Sequence, residues 1–393
     1  MDKLRLLAGA VTLLILVSFI VFTEAKLTPS GTASQPVNPQ LPTPSCTALR
    51  DLPVPSAPFQ QIVKDARLFG KYISYSLMQQ APYSQNNLVL LDMGADHRLF
   101  TSDDSLQTVA NTTEITIHDL DLNDKNLVWI EHVPGFLYAN LKSCDLDYCA
   151  VSEPNVIFIS NETQYLEHNV AMSDSRVVWT VRDPKGLLIM FCDFNKNGAD
   201  GGCLNNDKKN VVNIYQQRDE YIHSVKTTQN FGYVLTKALT SPKAKLYIMN
   251  YSTNTSSMYY DEVRDGSQIN DFFPISSQQN LNVIYMLENN TVVSVGFISD
   301  GKEIFQNRMK VLVNKTIDVL AADRNTKDLF KFAYLERGSN GTGYYIKTLS
   351  PPKSYNLDSV DYQQILGQIS YSRNSFITQK LNPILPPAYF YCE

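Results

Sequence analysis

A short hydrophobic strand recurs along this chain about every fifty residues, and few folds accommodate such a repeat. Its cores are ISYS at Ile73, LVWI at Leu127, VVWT at Val177, YVLT at Tyr233, VIYM at Val283, FAYL at Phe332 and FITQ at Phe376. The third residues of these cores are Tyr75, Trp129, Trp179, Leu235, Tyr285, Tyr334 and Thr378, spaced by 54, 50, 56, 50, 49 and 44. Both tryptophans of the chain occupy this slot, in neighbouring units. Set among apolar neighbours, they read as core or inter-sheet packing rather than as ligand-stacking platforms.

Each unit holds further strand-like runs. About ten residues after the slot come LVLLD (88–92), FLYANL (136–141), LLIMF (187–191), LYIMN (246–250), VGFIS (295–299), YYIKTL (344–349) and AYFYC (388–392). A third run follows in several units, as in NVIFIS (155–160), VVNIYQ (211–216), MYYDEV (258–263) and MKVLVN (309–314). Before most slots stands another: QQIV (60–63), ITIH (115–118), QYLEH (164–168), EYIH (220–223), TIDVL (316–320) and QQIL (363–366). Four short strands per fifty residues is the pattern of a β-propeller blade. No helical periodicity is sustained in the body of the chain. The expectation is an all-β, seven-bladed propeller of four-stranded antiparallel sheets. Its last unit supplies only three strands, so the ring closes if an N-terminal strand donates the fourth.

The six cysteines favour that closure. Cys144, Cys192 and Cys392 lie 15, 13 and 14 residues past their slots, at the end of the third strand. Cys149 and Cys203 follow the first two and lead into the fourth strand. The repeat therefore favours Cys144–Cys149 and Cys192–Cys203, leaving Cys392 to Cys46. No CxxC pair is present, which argues against metal binding by cysteine. Pro53 and Pro55 suit an outermost strand, where a missing donor is tolerated.

The start of the chain has a different character. Lys3 and Arg5 precede an uncharged apolar run from Leu6 to Phe22, between a signal h-region and a minimal membrane span in length. Residues 1–25 are expected to be either a cleaved signal or a retained membrane anchor, and both readings export the remainder. Residues 26–45 are rich in Pro, Ser and Thr and read as an extended tether. The propeller domain is expected over 46–393. With 34 Lys+Arg against 39 Asp+Glu and no basic cluster, the chain is not expected to bind nucleic acid. Sequons begin at Asn111, Asn161, Asn250, Asn254, Asn289, Asn314 and Asn340, consistent with a glycoprotein in a host that glycosylates.

The units resemble the TolB-type propeller repeats of bacterial and archaeal exported proteins. The likeness is carried by SRVVWTVRDPKGLLIMFCDFNKNG (175–198) and by the Asp-Gly-rich hairpin LDMGADHRLFTSDD (91–104). It covers most of 60–393 and implies a scaffold used for binding rather than a particular reaction. Six blades are usual in that family, and six is the alternative count here.

Two loops suggest a cation. Asp193, Asn195 and Asn197 followed by Gly198 are spaced like the start of a Ca²⁺ loop, with Leu204 at position 12 and Asp200 as a substitute ligand. The hairpin carrying Asp92, Asp96 and Asp103 is a weaker match, because Gly94 and His97 depart from the pattern. The same residues build ordinary polar hairpin tips, and that reading is preferred. His118, His168 and His223 stand 11, 11 and 12 residues before their slots, a spacing that would bring three imidazoles toward a channel mouth. The expected function is a non-enzymatic extracellular scaffold for a cell-surface protein or glycan. The alternatives are a polysaccharide hydrolase or lyase and a structural envelope component.

Overall fold

The computed structural model describes residues 46–48, 61–79, 85–99, 101–113, 115–133, 138–196, 199–204, 210–214, 220–239 and 244–253, and thereafter the strands bounded below. All of these belong to the second of two units in the chain, Pro44–Glu393. Residues 1–45, with the apolar segment and the tether, lie outside the described residues.

After β1 (Cys46–Ala48) the strands come in fours. The first sheet is β2 (Gln61–Phe69), β3 (Tyr72–Gln79), β4 (Gln85–Asp92) and β5 (Ser105–Thr113). The second is β6 (Thr116–Leu122), β7 (Asn126–His132), β8 (Ala139–Asp145) and β9 (Asn155–Ile159). The third is β10 (Tyr165–Ser173), β11 (Arg176–Asp183), β12 (Gly186–Asp193) and β13 (Asn210–Ile214). The fourth is β14 (Glu220–Thr227), β15 (Phe231–Ala238), β16 (Ala244–Asn250) and β17 (Thr255–Tyr260). The fifth is β18 (Ile269–Ser276), β19 (Leu281–Leu287), β20 (Thr291–Ser299) and β21 (Ile304–Asn314), and the sixth is β22 (Leu320–Ala322), β23 (Phe332–Arg337), β24 (Tyr344–Leu349) and β25 (Pro352–Asn356).

Each of these six is an antiparallel meander in sequence order. The seventh sheet among the described residues is built differently. β26 (Leu366–Ser372), β27 (Ser375–Lys380) and β28 (Ala388–Cys392) are joined by β1 in the order β1-β28-β27-β26. β1 runs antiparallel to β28, with Cys46 opposite Cys392 and Ala48 opposite Phe390.

The core lies between consecutive sheets. Leu88, Leu90 and Val109 of the first sheet pack on Ile117, Leu120, Leu127 and Trp129 of the second. Val128, Ile130, Leu141 and Ile157 of the second pack on Leu166, Met172, Val177 and Trp179 of the third. Val178, Ile189 and Phe191 then meet Val225, Val234 and Tyr247, while Leu235 and Ile248 meet Phe272, Val293 and Val295. Tyr391 of β28 belongs to the core of the first sheet, with Leu68, Tyr75 and Leu91. The first strands β2, β6, β10, β14, β18, β22 and β26 each lie against the next, and β26 lies against β2.

Every slot residue falls on the second strand of its sheet. Tyr75, Trp129, Trp179 and Leu235 are fully buried, as their apolar context predicts. A second strand enclosed between two sheets buries both its faces, so VVWTV in β11 is buried at five successive positions and shows no alternation.

The first strands are longer than their sequence runs: the run ITIH gives way to a strand extending to Leu122, and QYLEH to one extending to Ser173. The runs TIDVL and QQIL only touch their strands, which begin at Leu320 and Leu366. A register shift interrupts the first strand in the first, second, third, fourth, fifth and seventh sheets. Such a bulge breaks the period of two that sequence reading relies on.

Candidate functional site on the first strands and the disulfide hairpins

The bulges place charged side chains where one first strand meets the next. Asp65 follows the register shift in β2 and is almost fully buried. Its Oδ2 accepts the backbone N–H of Leu120, in the neighbouring sheet, at 3.2 Å, and its Oδ1 accepts Ala66 N at 2.9 Å and the guanidinium of Arg67. Burial pushes the Asp65 carboxyl up, while Arg67 and the two amides oppose it. One sheet further on, Asp121 Oδ2 accepts the N–H of Met172 at 2.7 Å. Between the fourth and fifth sheets, Lys226 Nζ donates to Asp271 Oδ1 at 3.0 Å and to the carbonyl of Phe272, and Lys237 Nζ donates to the carbonyl of Asn270 at 3.0 Å. Asp65, Asp121 and Lys226 thus tie successive first strands together, and Lys237 reaches β18 from the second strand β15.

Asp119 sits on the bulge of β6 in a left-handed conformation, φ 44°. Burial, and then the charge of Asp65, push its carboxyl up to about 7, with Arg67 opposing. Such a conformation is tolerated by Asp and Asn better than by other side chains.

His118 and His223 are on β6 and β14, in the second and fourth sheets. The His118 ring contacts Thr116 Oγ1 through Nε2 at 2.9 Å. His223 packs edge-on to Tyr221, with ring centroids 6.4 Å apart. Desolvation, then the Lys237 ammonium, hold its pKa below the ordinary imidazole value, and Asp271 opposes them. His168 is on β10, and its side chain lies outside the described residues. Among the described residues, no three His, Cys, Asp or Glu side chains converge as a metal site.

The loops read as calcium candidates are hairpin turns with a common design. Asp92, Asp145, Asp193 and Asn250 each end the third strand of one of four successive sheets. In each the Oδ1 accepts the N–H two residues on: Gly94 at 2.9 Å, Asp147 at 3.0 Å, Asn195 at 2.9 Å and Ser252 at 3.0 Å. These are Asx turns. The other oxygens of Asp92 and Asp193 are paired with Lys71 at 2.7 Å and Arg176 at 3.3 Å. Asp103 accepts Ala95 N and Thr101 Oγ1, which lower its pKa, and Asp96 accepts Arg98 N at 2.9 Å. Gly94 has φ +65°, and a Cβ there would overlap the Asp103 carboxylate, so its place in the loop is conformational. Asp200 is exposed, and Asn197 lies outside the described residues.

Two disulfides pin these hairpins as expected: Cys144–Cys149, Cα–Cα 5.1 Å, and Cys192–Cys203, Cα–Cα 4.8 Å. Each packs against the preceding sheet, the first in the core shared with Leu88 and Leu90, the second in that shared with Ile157. Beside them, large apolar side chains face solvent: Tyr148 is 59% exposed, Val151 83% and Leu204 45%. Nothing in a strand pattern marks these three, because they lie in turns. Tyr148 lies within the Cys144–Cys149 loop, and Val151 and Leu204 shortly follow the second cysteine of each pair. The side chains of Cys46 and Cys392 lie outside the described residues.

No family model matches the chain, and no curated protein does. Solved structures do resemble it. A prolyl endopeptidase aligns with TM-score 0.53 and 8% identity over 84% of this chain, which spans 46% of that one. An oligogalacturonate lyase in complex with manganese aligns with TM-score 0.53 and 11% identity, over 89% of this chain and 96% of the other. The oligogalacturonate lyase from Vibrio parahaemolyticus gives TM-score 0.53 and 10% identity, over 89% and 97%. These neighbours are β-propeller proteins, and the likeness places this chain in that fold class.

Two features bear on location. The disulfides are those of a chain that matures in an oxidising compartment. Among the described residues, no helix is long and apolar enough to cross a membrane.

Proposed function

We propose that this chain is an exported, seven-bladed propeller that serves as an extracellular binding scaffold for a cell-surface protein or glycan. The observation that carries the reading is the exposure of Tyr148, Val151 and Leu204 beside two disulfide-pinned hairpins in successive sheets. Tyr148 and Val151 stand three residues apart at one hairpin, so a single partner could cover both, and a disulfide-closed turn reduces the entropy lost when it does. Ring closure by β1, with a Cys46–Cys392 disulfide, is supported by the opposed register of those two residues and by Tyr391 in the first sheet's core. The segment 1–25 would direct export or anchor the chain, and 26–45 would hold the propeller off the membrane.

Calcium is not needed in this reading, since Asp92 and Asp193 already pair with cations and amides. The competing reading is an enzyme acting on polysaccharide. It is favoured by the likeness to oligogalacturonate lyases over nearly their whole length.

The test is a pair of assays on the purified chain. One measures retention of isolated envelope glycans and of defined surface proteins by wild type and by the double variant Tyr148→Ala, Val151→Ser. Saturable binding weakened at least tenfold in the variant supports the scaffold. The other follows release of unsaturated products from oligogalacturonate. Turnover there, with no binding lost in the variant, would replace the scaffold by the enzyme.

A further inference from the structure

Once the strands are placed, several sequons fall into register with the repeat. β5, β9 and β21 are the fourth strands of the first, second and fifth sheets. Asn111 lies two residues before the end of β5, Asn161 two residues after the end of β9, and Asn314 is the last residue of β21. Asn161 follows Asn111 by 50 residues, and Asn314 follows Asn161 by 153, about one and three repeats. All three stand where a fourth strand leaves its sheet. Asn250, by contrast, ends a third strand, is half-buried, and heads a turn in which its Oδ1 accepts Ser252 N and Oγ. Asn254, Asn289 and Asn340 lie outside the described residues.

Asn111 and Asn161 are exposed. Asn161 Oδ1 accepts Thr163 N, Thr163 Oγ1 and Gln164 N, each at 2.9 Å. Three donors on one carboxamide oxygen polarise the group and make its nitrogen readier to lose a proton. Asn111 Oδ1 accepts Gln85 Nε2 at 2.7 Å.

We infer that Asn111 and Asn161 are N-glycosylated, and that Asn314 is a third acceptor of the same set. The donor is a polyprenyl-pyrophosphate-linked oligosaccharide, used by a transferase of the host. The side-chain nitrogen attacks the anomeric carbon, forming a C–N bond. The C–O bond to phosphate breaks, the pyrophosphate leaves with its electron pair, and the amide gives up one proton. A fourth strand starts at the disulfide-hairpin end and finishes at the other, so these sugars would occupy the end of the sheets away from Tyr148 and Val151. The inference is independent of what those residues bind.

The experiment uses chain recovered from the envelope or medium of its source cells. It is digested, treated in ¹⁸O water with an amidase that releases N-glycans, and mapped by mass spectrometry. The expected result is glycan on the Asn111 and Asn161 peptides, each converted to labelled Asp. Asn111→Gln and Asn161→Gln should each remove one glycan's mass. Unmodified asparagine at both positions, in exported protein with oxidised cysteines, overturns the inference. Modification at Asn250 with both of them bare overturns it equally.

Discussion

The hydroxyl of Tyr391 in β28 donates to the carbonyl of His97, in the turn after β4, at 3.3 Å. Residues 294 apart in sequence are thus joined, and the ring of Tyr391 is buried among Leu68, Tyr75 and Leu91. The last strands are fastened to the first complete sheet by packing as well as by pairing with β1.

Removing that ring should loosen the junction. Tyr391→Ala is expected to cost ~3–5 kcal/mol, as for other buried aromatic truncations. Tyr391→Phe keeps the packing and loses one hydrogen bond, at about 1 kcal/mol. Urea unfolding of the two variants against wild type separates the contributions. Equal losses would show that packing is not what holds the seam.

Trp129 and Trp179 share a slot but not an environment. Trp129 Nε1 donates to Glu131 Oε1 at 3.0 Å, and Glu131 pairs with Lys142 at 2.7 Å. In the third sheet Val181 stands where Glu131 would, and Trp179 Nε1 has no hydrogen-bond partner among the described residues. Glu131→Leu should therefore destabilise by about 3–5 kcal/mol, since it strands a partly buried ammonium and an indole N–H together. Glu131→Gln retains an acceptor for Trp129 and should cost less. Denaturant midpoints of the two variants check the order.

Breaking the Cys192–Cys203 link by Cys→Ser at both positions should cost ~2–3 kcal/mol, the range for a short closed loop. Because the bridge also packs in the core between the second and third sheets, some of that loss is packing. Denaturant unfolding of the oxidised variant against oxidised wild type measures that loss; reduction of wild type, which also opens Cys144–Cys149, should lower its stability further.

The pH dependence has a definite sign. The Asp119 carboxyl is raised to about 7 in the fold, so between the ordinary carboxylate range and 7 the folded chain binds more protons than the unfolded one. Its contribution to stability is full below pH 4 and is lost as pH rises through about 7. Burial moves Asp65 in the same direction. Asp119→Asn, which suits the left-handed backbone, should flatten this decline and raise stability at pH 8. Melting curves from pH 5 to 8 test it, and an unchanged slope in the variant would rule Asp119 out as the source.

Calcium should do little. Asp193→Asn retains the Asx turn and loses only the Arg176 pair, which is partly exposed, so the change should stay within about 1 kcal/mol. Added Ca²⁺ should leave the melting temperatures of wild type and variant alike. A rise in wild type alone would restore the cation reading of that loop.

Much of the scaffold was legible because second and third strands are buried on both faces. Runs such as VVWTV and LLIMF stand out without any periodicity analysis. Fourth strands were harder. SLQTVANTT in β5 is largely solvent-facing and polar, and PKSYN in β25 begins with proline, so neither resembles a strand in isolation. The first strand INDFFPIS is obscured in the sequence by its Pro274 and by the bulge between Ile269 and Asp271. The cysteine spacing located both hairpin staples. The inter-sheet carboxylates were hidden, because Asp65 and Asp121 bond to amides more than fifty residues away, and only the folded register brings those together.

The paired tryptophans have an optical corollary. The chain contains two, one in the second sheet and one in the third, so tryptophan emission, excited beyond the tyrosine band, reports on that sector alone. The indole bonded to a carboxylate and the indole with no hydrogen-bond partner among the described residues should emit at different wavelengths. A spectral shift on heating would then reveal which of the two sheets gives way first, with no label attached.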